Sequence, residues 1–175
     1  ADVVAFTPIA DSLAAEQTVG QLNELYTILT EIVFRYEGTV DKFIGHSVMA
    51  IWGAPQLQAD HAARAIAAAE DMMRWLEAGN QGWRQKFGVT VELAIGINSG
   101  HAVVGNVGSE TRMQYTAIGD VVNVAARLES IARPQQILVT QATKAAAGED
   151  FEYTALGPKQ LVGRRDSVKL FEVRL

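Results

Sequence analysis

The sequence predicts an α+β domain: a mixed β-sheet with helices packed on one face, in a ferredoxin-like arrangement. The order strand–helix–hairpin–helix–strand in its first half is one observation behind this prediction. Apolar residues that recur every three or four positions in the helical segments are a second. The length of 175 residues, 49% of them hydrophobic, suits one domain with a full core. A fold of this class implies no particular function.

The first half supplies the basic unit. Residues 1–5 form the second half of a buried strand, so we expect the chain to be a fragment of a longer protein. Hairpin strands follow near Thr39–Phe43 and Val48–Trp52. A second helix runs from Asp60, its N-cap, to Glu77. The first helix spans Thr18–Tyr36, and its apolar face holds Leu22, Leu25, Leu29, Ile32 and Tyr36.

The second half adds strands and one further helix. The helix runs from about Val121 to Ala132 and stops before Pro134. A turn at Gly157-Pro158 separates the last two strands. The predicted strands are Val89–Ile97, His101–Val107, Tyr115–Ile118, Ile137–Thr140, Phe151–Tyr153 and Val168–Val173.

Composition excludes several classes of function. The net charge of −5, with both signs spread along the chain, argues against a nucleic-acid partner. The sequence has no cysteine, which excludes disulfides, thiol catalysis and zinc–thiolate sites. It has no long apolar run, so this segment is not expected to contact a membrane. We expect a cytoplasmic protein.

Asp2 is the first candidate for chemistry. A carboxylate at a strand end, followed by a tight turn into a helix, can hold a cation, and the amides after it can face phosphate oxygens. The alternative is an ordinary capping aspartate. His46, in the hairpin, would lie on a strand adjacent to that of Asp2. Nucleotidyl transfer favours two divalent ions bridged by carboxylates, and imidazole suits zinc, copper or iron better than magnesium. His46 is equally compatible with a turn residue that binds nothing.

Asn123 and Arg127 form the third candidate, because a spacing of four places them on one helical face. An amide beside a guanidinium can hold a ribose and a phosphorus centre in its transition state. The alternative is a solvated polar stripe on an amphipathic helix.

Four motifs occur in order and together resemble the catalytic domain of class III adenylyl cyclases over nearly the whole chain. They are Asp-x-x-x-Phe-Thr at residues 2–7, Asp-Lys-Phe-Ile-Gly at 41–45, Ile-Gly-Ile-x-Ser-Gly at 95–100, and Tyr-Thr-Ala-Ile-Gly-Asp-x-Val-Asn-x-Ala-Ala-Arg at 115–127. The resemblance implies the nucleotidyl cyclase fold and one catalytic domain over residues 1–175. It also implies regulatory domains beside it and a homodimer whose sites lie between subunits.

The resemblance also implies roles for residues. Asp2, the Val3 carbonyl and position 46 would bind two Mg²⁺ or Mn²⁺ ions. One protomer would contribute these metal ligands, and the other would contribute the residues for base, ribose and transition state. The amides of Val4, Ala5, Phe6 and Thr7 would hold phosphates, Lys42 and Thr116 would bind the base beside Ile118, Asn123 would orient the ribose, and Arg127 would stabilise the transition state.

The base-reading pair has a physical logic. Adenine presents an acceptor at N1 and a donor at N6, so Lys42 can donate to the first and the Thr116 hydroxyl can accept from the second. Guanine reverses these polarities and would leave buried groups unpaired. Threonine at position 116 resembles the subgroup that includes bicarbonate-responsive cyclases.

Three positions depart from the family pattern. His46 replaces the usual second metal aspartate. Ala5 replaces a frequent glycine, which matters only where a positive φ is needed. Val162 stands where many relatives have a lysine for the triphosphate, a role that Arg164 or Arg165 could take over.

These residues predict an adenylate cyclase that converts ATP to 3′,5′-cyclic AMP and pyrophosphate. The alternative is a degenerate cyclase-like module that dimerises and serves in regulation, with weak or no turnover because of His46. A diguanylate cyclase is excluded because the chain lacks that family's Gly-Gly-acidic-acidic-Phe signature.

Overall fold

The computed structural model describes residues 1–164 and 166–175. Its main sheet has seven strands in the order β2-β3-β1-β4-β7-β9-β8, and β5 and β6 form a separate two-stranded sheet. The strands are β1 (Asp2–Val3), β2 (Thr39–Ile44), β3 (Ser47–Ile51), β4 (Leu93–Ile97), β5 (Val103–Ser109), β6 (Arg112–Ile118), β7 (Gln136–Thr140), β8 (Tyr153–Lys159) and β9 (Val168–Val173). The helices are α1 (Phe6–Ser12), α2 (Ala15–Arg35), α3 (His61–Phe87), α4 (Asp120–Ile131) and α5 (Gln141–Ala147).

The predicted fold class is confirmed. The first four strands of the main sheet, β2-β3-β1-β4, have the antiparallel order of a ferredoxin-like unit, and α2 and α3 are its two crossing helices. β7 then joins β4 in parallel, and β9 and β8 extend the sheet with antiparallel pairs. The short β1 lies between β3 and β4, so Asp2 is near the centre of the sheet rather than at its edge.

Helices cover both faces of this sheet, not one face as predicted. Ile137 and Val139 of β7 belong to the main core with α2 and α3, whereas Leu138 between them packs with Val124 and Leu128 of α4. Successive side chains of a strand point to opposite faces, so α4 lies on the face opposite to α2 and α3. A strand that is buried on both faces shows a continuous apolar run rather than alternation.

Other differences concern the ends of elements. The sequence patterns missed α1 and α5, which are short, and ended α3 about ten residues early. Gly157-Pro158 is not a turn between strands: it lies inside β8, at a register irregularity where Gly157 has φ of 76°. Asp60 precedes α3 but does not cap it with its side chain, because its carboxylate accepts a hydrogen bond from Arg64 Nε at 2.8 Å. Among the described residues, no helix combines the length and apolar character needed to cross a membrane.

Candidate active site

A tight hairpin turn presents His46. Ile44 pairs with Ser47, which leaves Gly45 and His46 as a two-residue turn between β2 and β3. Gly45 has φ of 61°, the conformation that such turns require of their first residue. The Tyr26 hydroxyl donates to the Gly45 carbonyl, and the Tyr26 ring stacks on Phe43. α2 therefore holds the turn, and with it His46, against the end of the sheet.

Asp2 and His46 are in direct contact, as adjacent strands predict. Asp2 Oδ1 shares a hydrogen bond with His46 Nδ1 and also accepts one from the Ser47 hydroxyl. The Phe6 ring stacks on the imidazole with centroids 4.9 Å apart. The Asp2 side chain is 18% exposed and that of His46 36% exposed, so both can reach a ligand. We call Asp2, Phe6, His46 and Ser47 the Asp2 cluster.

The donors of the Asp2 cluster suit one hard cation better than two. Asp2 offers carboxylate oxygens, and Val3, whose side chain is buried, can offer only its backbone. His46 adds a nitrogen without negative charge. Within residues 1–164 and 166–175, no three His, Cys, Asp or Glu side chains converge as a metal site would require. A first Mg²⁺ or Mn²⁺ fits these residues when nucleotide phosphates complete its coordination, and a second would depend on the His46 nitrogen.

A second acidic group lies near Asp2. Burial, followed by the negative charge of Asp2, raises the pKa of the Glu129 carboxyl on α4. α4 approaches the sheet so closely that a Cβ on Gly96 of β4 would come within 2.4 Å of the Ala125 carbonyl oxygen. Only glycine at position 96 lets α4 pack this close to β4. The sequence analysis quoted Gly96 as part of a motif but did not predict this packing role.

The residues after β1 form the predicted tight turn, with two differences. Ala5 adopts a left-handed conformation, φ 51° and ψ 42°, which is the case in which replacement of glycine by alanine costs energy. The sequence analysis expected the Val4 amide to bind a phosphate. In the structure this amide donates to the Glu92 carbonyl at 2.8 Å, so it is not available for that contact. Ala5, Phe6 and Thr7 remain as the candidates for phosphate contact, at the start of α1.

Lys42 and Thr116 are brought together by a residue that the sequence analysis passed over. Both contact the carboxylate of Asp41: Lys42 Nζ lies 3.3 Å from Oδ1, and Thr116 Oγ1 lies 2.7 Å from Oδ2. The Ala117 amide donates to the same Oδ2 at 3.0 Å. We call Asp41, Lys42 and Thr116 the Asp41 cluster. Ile118, two residues beyond Thr116, is half exposed at the end of β6.

Asn123 and Arg127 share a face of α4, as their spacing predicts. Asn123 is exposed, and Arg127 is half-buried beneath the loop that follows β8. Gly163 in that loop has φ of 75°, and a Cβ there would lie 3.2 Å from an Arg127 guanidinium nitrogen. The loop thus limits where the Arg127 side chain can lie.

Val162 and Arg164, one of the two arginines that were predicted to contact the triphosphate in place of a lysine, lie in the same loop. Val162 is 85% exposed. Arg164 pairs with Asp120 at the start of α4, so its guanidinium is already engaged. Arg165 falls outside the described residues.

The candidate site residues of one chain form three groups. Among residues 1–164 and 166–175, no hydrogen bond or ion pair joins the Asp2 cluster, the Asp41 cluster and the α4 pair of Asn123 and Arg127. A long open groove runs between β3, α3, β4 and α4, with Met49, Ile97 and Val122 among its lining residues. Each of the three groups is held by contacts of its own.

This fold and this set of residues are characteristic of the nucleotide cyclase family. The family model for the adenylate and guanylate cyclase catalytic domain matches residues 1–174, so the chain belongs to that family. The family resemblance found in the sequence is confirmed, whereas the bicarbonate-responsive subgroup stays a prediction.

Individual relatives include both kinds of cyclase. The chain is 35% identical to adenylate cyclase 1 of Rhizobium meliloti, over 98% of this chain and 26% of that protein. The crystal structure of the adenylyl cyclase CyaB from P. aeruginosa matches with a TM-score of 0.96 and 32% identity, over 99% of this chain and 90% of that one. The guanylyl cyclase Cya2 matches with a TM-score of 0.94 and 34% identity, over 98% and 87%. The chain spans about a quarter of the length of the first of these proteins.

Proposed function

We propose that the chain is an adenylate cyclase domain that converts ATP to 3′,5′-cyclic AMP and pyrophosphate. Its similar proteins include an adenylyl and a guanylyl cyclase, so the choice of base rests on the chain's own residues. The observation that carries the proposal is the Asp41 cluster, where a lysine and a threonine hydroxyl lie together around one carboxylate. A lysine donor suits adenine N1, and a hydroxyl acceptor suits the N6 amino group.

The proposed reaction is an in-line displacement. The ribose 3′-oxygen attacks the α-phosphorus, the 3′-hydroxyl proton is lost, and the bond to the β-phosphate oxygen breaks to release pyrophosphate. Asn123 would orient the ribose, and Arg127 would stabilise the charge that develops on the α-phosphate. The amides of Ala5, Phe6 and Thr7 would contact the phosphates. Divalent ions beside Asp2, the Val3 carbonyl and His46 would neutralise the triphosphate and favour loss of the 3′-proton.

The proposed assembly is a head-to-tail homodimer with two sites between the subunits. The absence of any hydrogen bond or ion pair between the three groups, among the described residues, supports it. So do the exposed apolar side chains of the β5–β6 hairpin, where Val103 is 72% exposed and Met113 is 62% exposed. A surface of this kind favours association with another chain. Flanking regulatory domains and a cytoplasmic location stay predictions.

One observation favours the alternative, a cyclase-like module with weak turnover. His46 contacts the Asp2 carboxylate that a metal ion would need, and it brings no negative charge to the triphosphate. In that case the groove and the Asp41 cluster would serve dimerisation and nucleotide binding in a regulatory role.

The deciding experiment is a cyclase assay on the purified chain, with ATP or GTP as substrate and Mg²⁺ or Mn²⁺ as the metal. Cyclic AMP formation that exceeds cyclic GTP formation supports the proposal. Preference for GTP would contradict the choice of base. Tight ATP binding without turnover under either metal would favour the regulatory module.

A further inference from the structure

A β-bulge gives Asp41 and Lys42 their arrangement. Val40 pairs with Ala50 and Lys42 pairs with Met49, so Asp41 is an extra residue without a partner on β3. Neighbouring side chains on a regular strand point to opposite faces, which would separate the two residues. The bulge instead lets Lys42 Nζ approach Asp41 Oδ1 to 3.3 Å.

The hydrogen bonds that the Asp41 carboxylate accepts come from neighbouring residues of the chain. Its side chain is 0% exposed, so it cannot touch a base. Thr116 Oγ1 lies 3.0 Å from Oδ1 and 2.7 Å from Oδ2, and the Ala117 amide donates to Oδ2 at 3.0 Å. A carboxylate only accepts, so the single proton of the Thr116 hydroxyl is directed at Asp41.

This arrangement fixes what Thr116 can offer a ligand. With its proton committed to Asp41, the hydroxyl oxygen can only accept a further hydrogen bond. If the hydroxyl turned to donate to a ligand, the buried carboxylate would lose a hydrogen bond, which is costly. Thr116 is 6% exposed, so a nucleotide would reach little of it beyond the hydroxyl.

We propose that Asp41 is the positioning residue that sets base specificity, by holding the Thr116 hydroxyl as an acceptor and Lys42 as its donor neighbour. The inference rests on the proposed function, since it concerns the same site. A 6-amino purine offers the N–H that this acceptor needs. A 6-oxo purine would place its own acceptor against the Thr116 oxygen.

The test is a double-mutant cycle on nucleotide binding by the dimeric protein. The probes are the α,β-methylene analogues of ATP and GTP, whose bridging carbon blocks cyclisation, titrated by calorimetry with Mn²⁺. The readout is the ratio of the GTP-analogue Kd to the ATP-analogue Kd. In Asp41→Asn, which keeps the side-chain shape, we expect this ratio to fall at least ~10-fold because the hydroxyl is free to donate.

Four further variants complete the cycle and its controls. Thr116→Val should lower the ratio similarly, and Asp41→Asn added to it should change the ratio no further. Thr116→Ser keeps the hydroxyl and should retain the native ratio. Asn80→Ala is the structural control, because Asn80 makes two hydrogen bonds with the backbone of Val91, at 2.7 and 2.8 Å, outside the Asp41 cluster. It should lower stability and leave the ratio unchanged.

The outcomes separate the two proposals. If native protein prefers the ATP analogue but Asp41→Asn weakens both analogues equally, Asp41 is only structural and the inference is wrong, while the proposed function stands. Independent, additive effects of Asp41→Asn and Thr116→Val would overturn it in the same way. Absence of any adenine preference in the native chain would overturn both.

Discussion

The two aspartate-centred clusters of this domain differ in how complete they are. Asp41 is fully buried, and the chain itself supplies its two hydrogen-bond donors, Thr116 and Ala117, and its ion-pair partner, Lys42. Asp2 remains 18% exposed, and one of its partners, His46, offers a ring nitrogen rather than a second carboxylate. The Asp41 cluster is therefore preorganised before any ligand binds, whereas the Asp2 cluster leaves part of its carboxylate open to a cation. We infer that nucleotide recognition and metal-dependent turnover can be separated in this protein.

The strongest test of this comparison is complementation between two inactive variants. Asp2→Asn removes the carboxylate on one side of the proposed interfacial site, and Arg127→Ala removes the guanidinium on the other. Each alone should lower turnover by about 10²- to 10³-fold, the usual scale for loss of a transition-state contact. A mixture should recover about a quarter of native activity, because half of randomly paired dimers are mixed and each holds one intact site. The measurement is cyclic AMP formation after the two proteins are combined.

The double variant Asp2→Asn/Arg127→Ala provides the control for complementation. Mixed with either single variant, it forms no site that has both residues, so activity should stay low. If the two single variants recover nothing although sedimentation shows mixed dimers, the residues act within one chain and the head-to-tail arrangement is wrong.

His46→Asp tests the incomplete side. Restoring the carboxylate adds a negative charge and a hard oxygen ligand, so Mg²⁺-supported turnover should rise at least ~10-fold. The gain with Mn²⁺ should be smaller, since Mn²⁺ accepts nitrogen more readily. His46→Asn separates the two causes, because it offers oxygen without charge. Unchanged turnover in His46→Asp, from a native chain that is already fully active with Mg²⁺, would show that position 46 is not a metal position.

Lys42→Glu tests the preorganised side. A glutamate would repel the buried Asp41 carboxylate and place an acceptor opposite adenine N1, so ATP use should fall more than GTP use. The measurement is kcat/KM for both nucleotides in competition. Lys169→Glu, at an exposed position of β9, makes the same charge change and should leave the preference intact. Equal effects of Lys42→Glu on both nucleotides would contradict a base-reading role.

Sequence patterns predicted the parts of the site better than their connections. Asn123 and Arg127 lie four apart on a helix, so periodicity predicts their proximity. Asp2 on β1 and His46 in the β2–β3 turn meet because β1 pairs with β3 at Ser47, the residue after His46. The Asp41–Thr116 bond joins residues 75 positions apart and depends on a bulge. Strict alternation would have turned Asp41 away from Lys42, and no feature of the sequence marks the bulge.

In the fold too, the sequence predicts some features well and misses others. α2 is predicted nearly to its ends, because one apolar face persists over several turns. α1 and α5, of seven residues each, offer too few turns for a periodic signal. The position of α4 on the opposite face follows from Gly96, whose missing side chain admits the helix backbone, and a pattern of apolar residues does not record an absent side chain.

The smallest expected effect concerns Ala5, between β1 and α1. Its φ of 51° places it in the left-handed region, which costs an L-residue with a Cβ about 1–2 kcal/mol. Ala5→Gly should remove that strain, although the added freedom of the unfolded chain offsets part of the gain. We therefore expect the free energy of unfolding to rise by up to about 1 kcal/mol, measured by urea denaturation at constant m-value.

Ala78→Gly, at an exposed position inside α3, is the matched control and should cost about 1 kcal/mol. Equal losses in both variants would show that Ala5 is unstrained. A gain only at position 5 would mean that the turn beside Asp2 stores backbone strain.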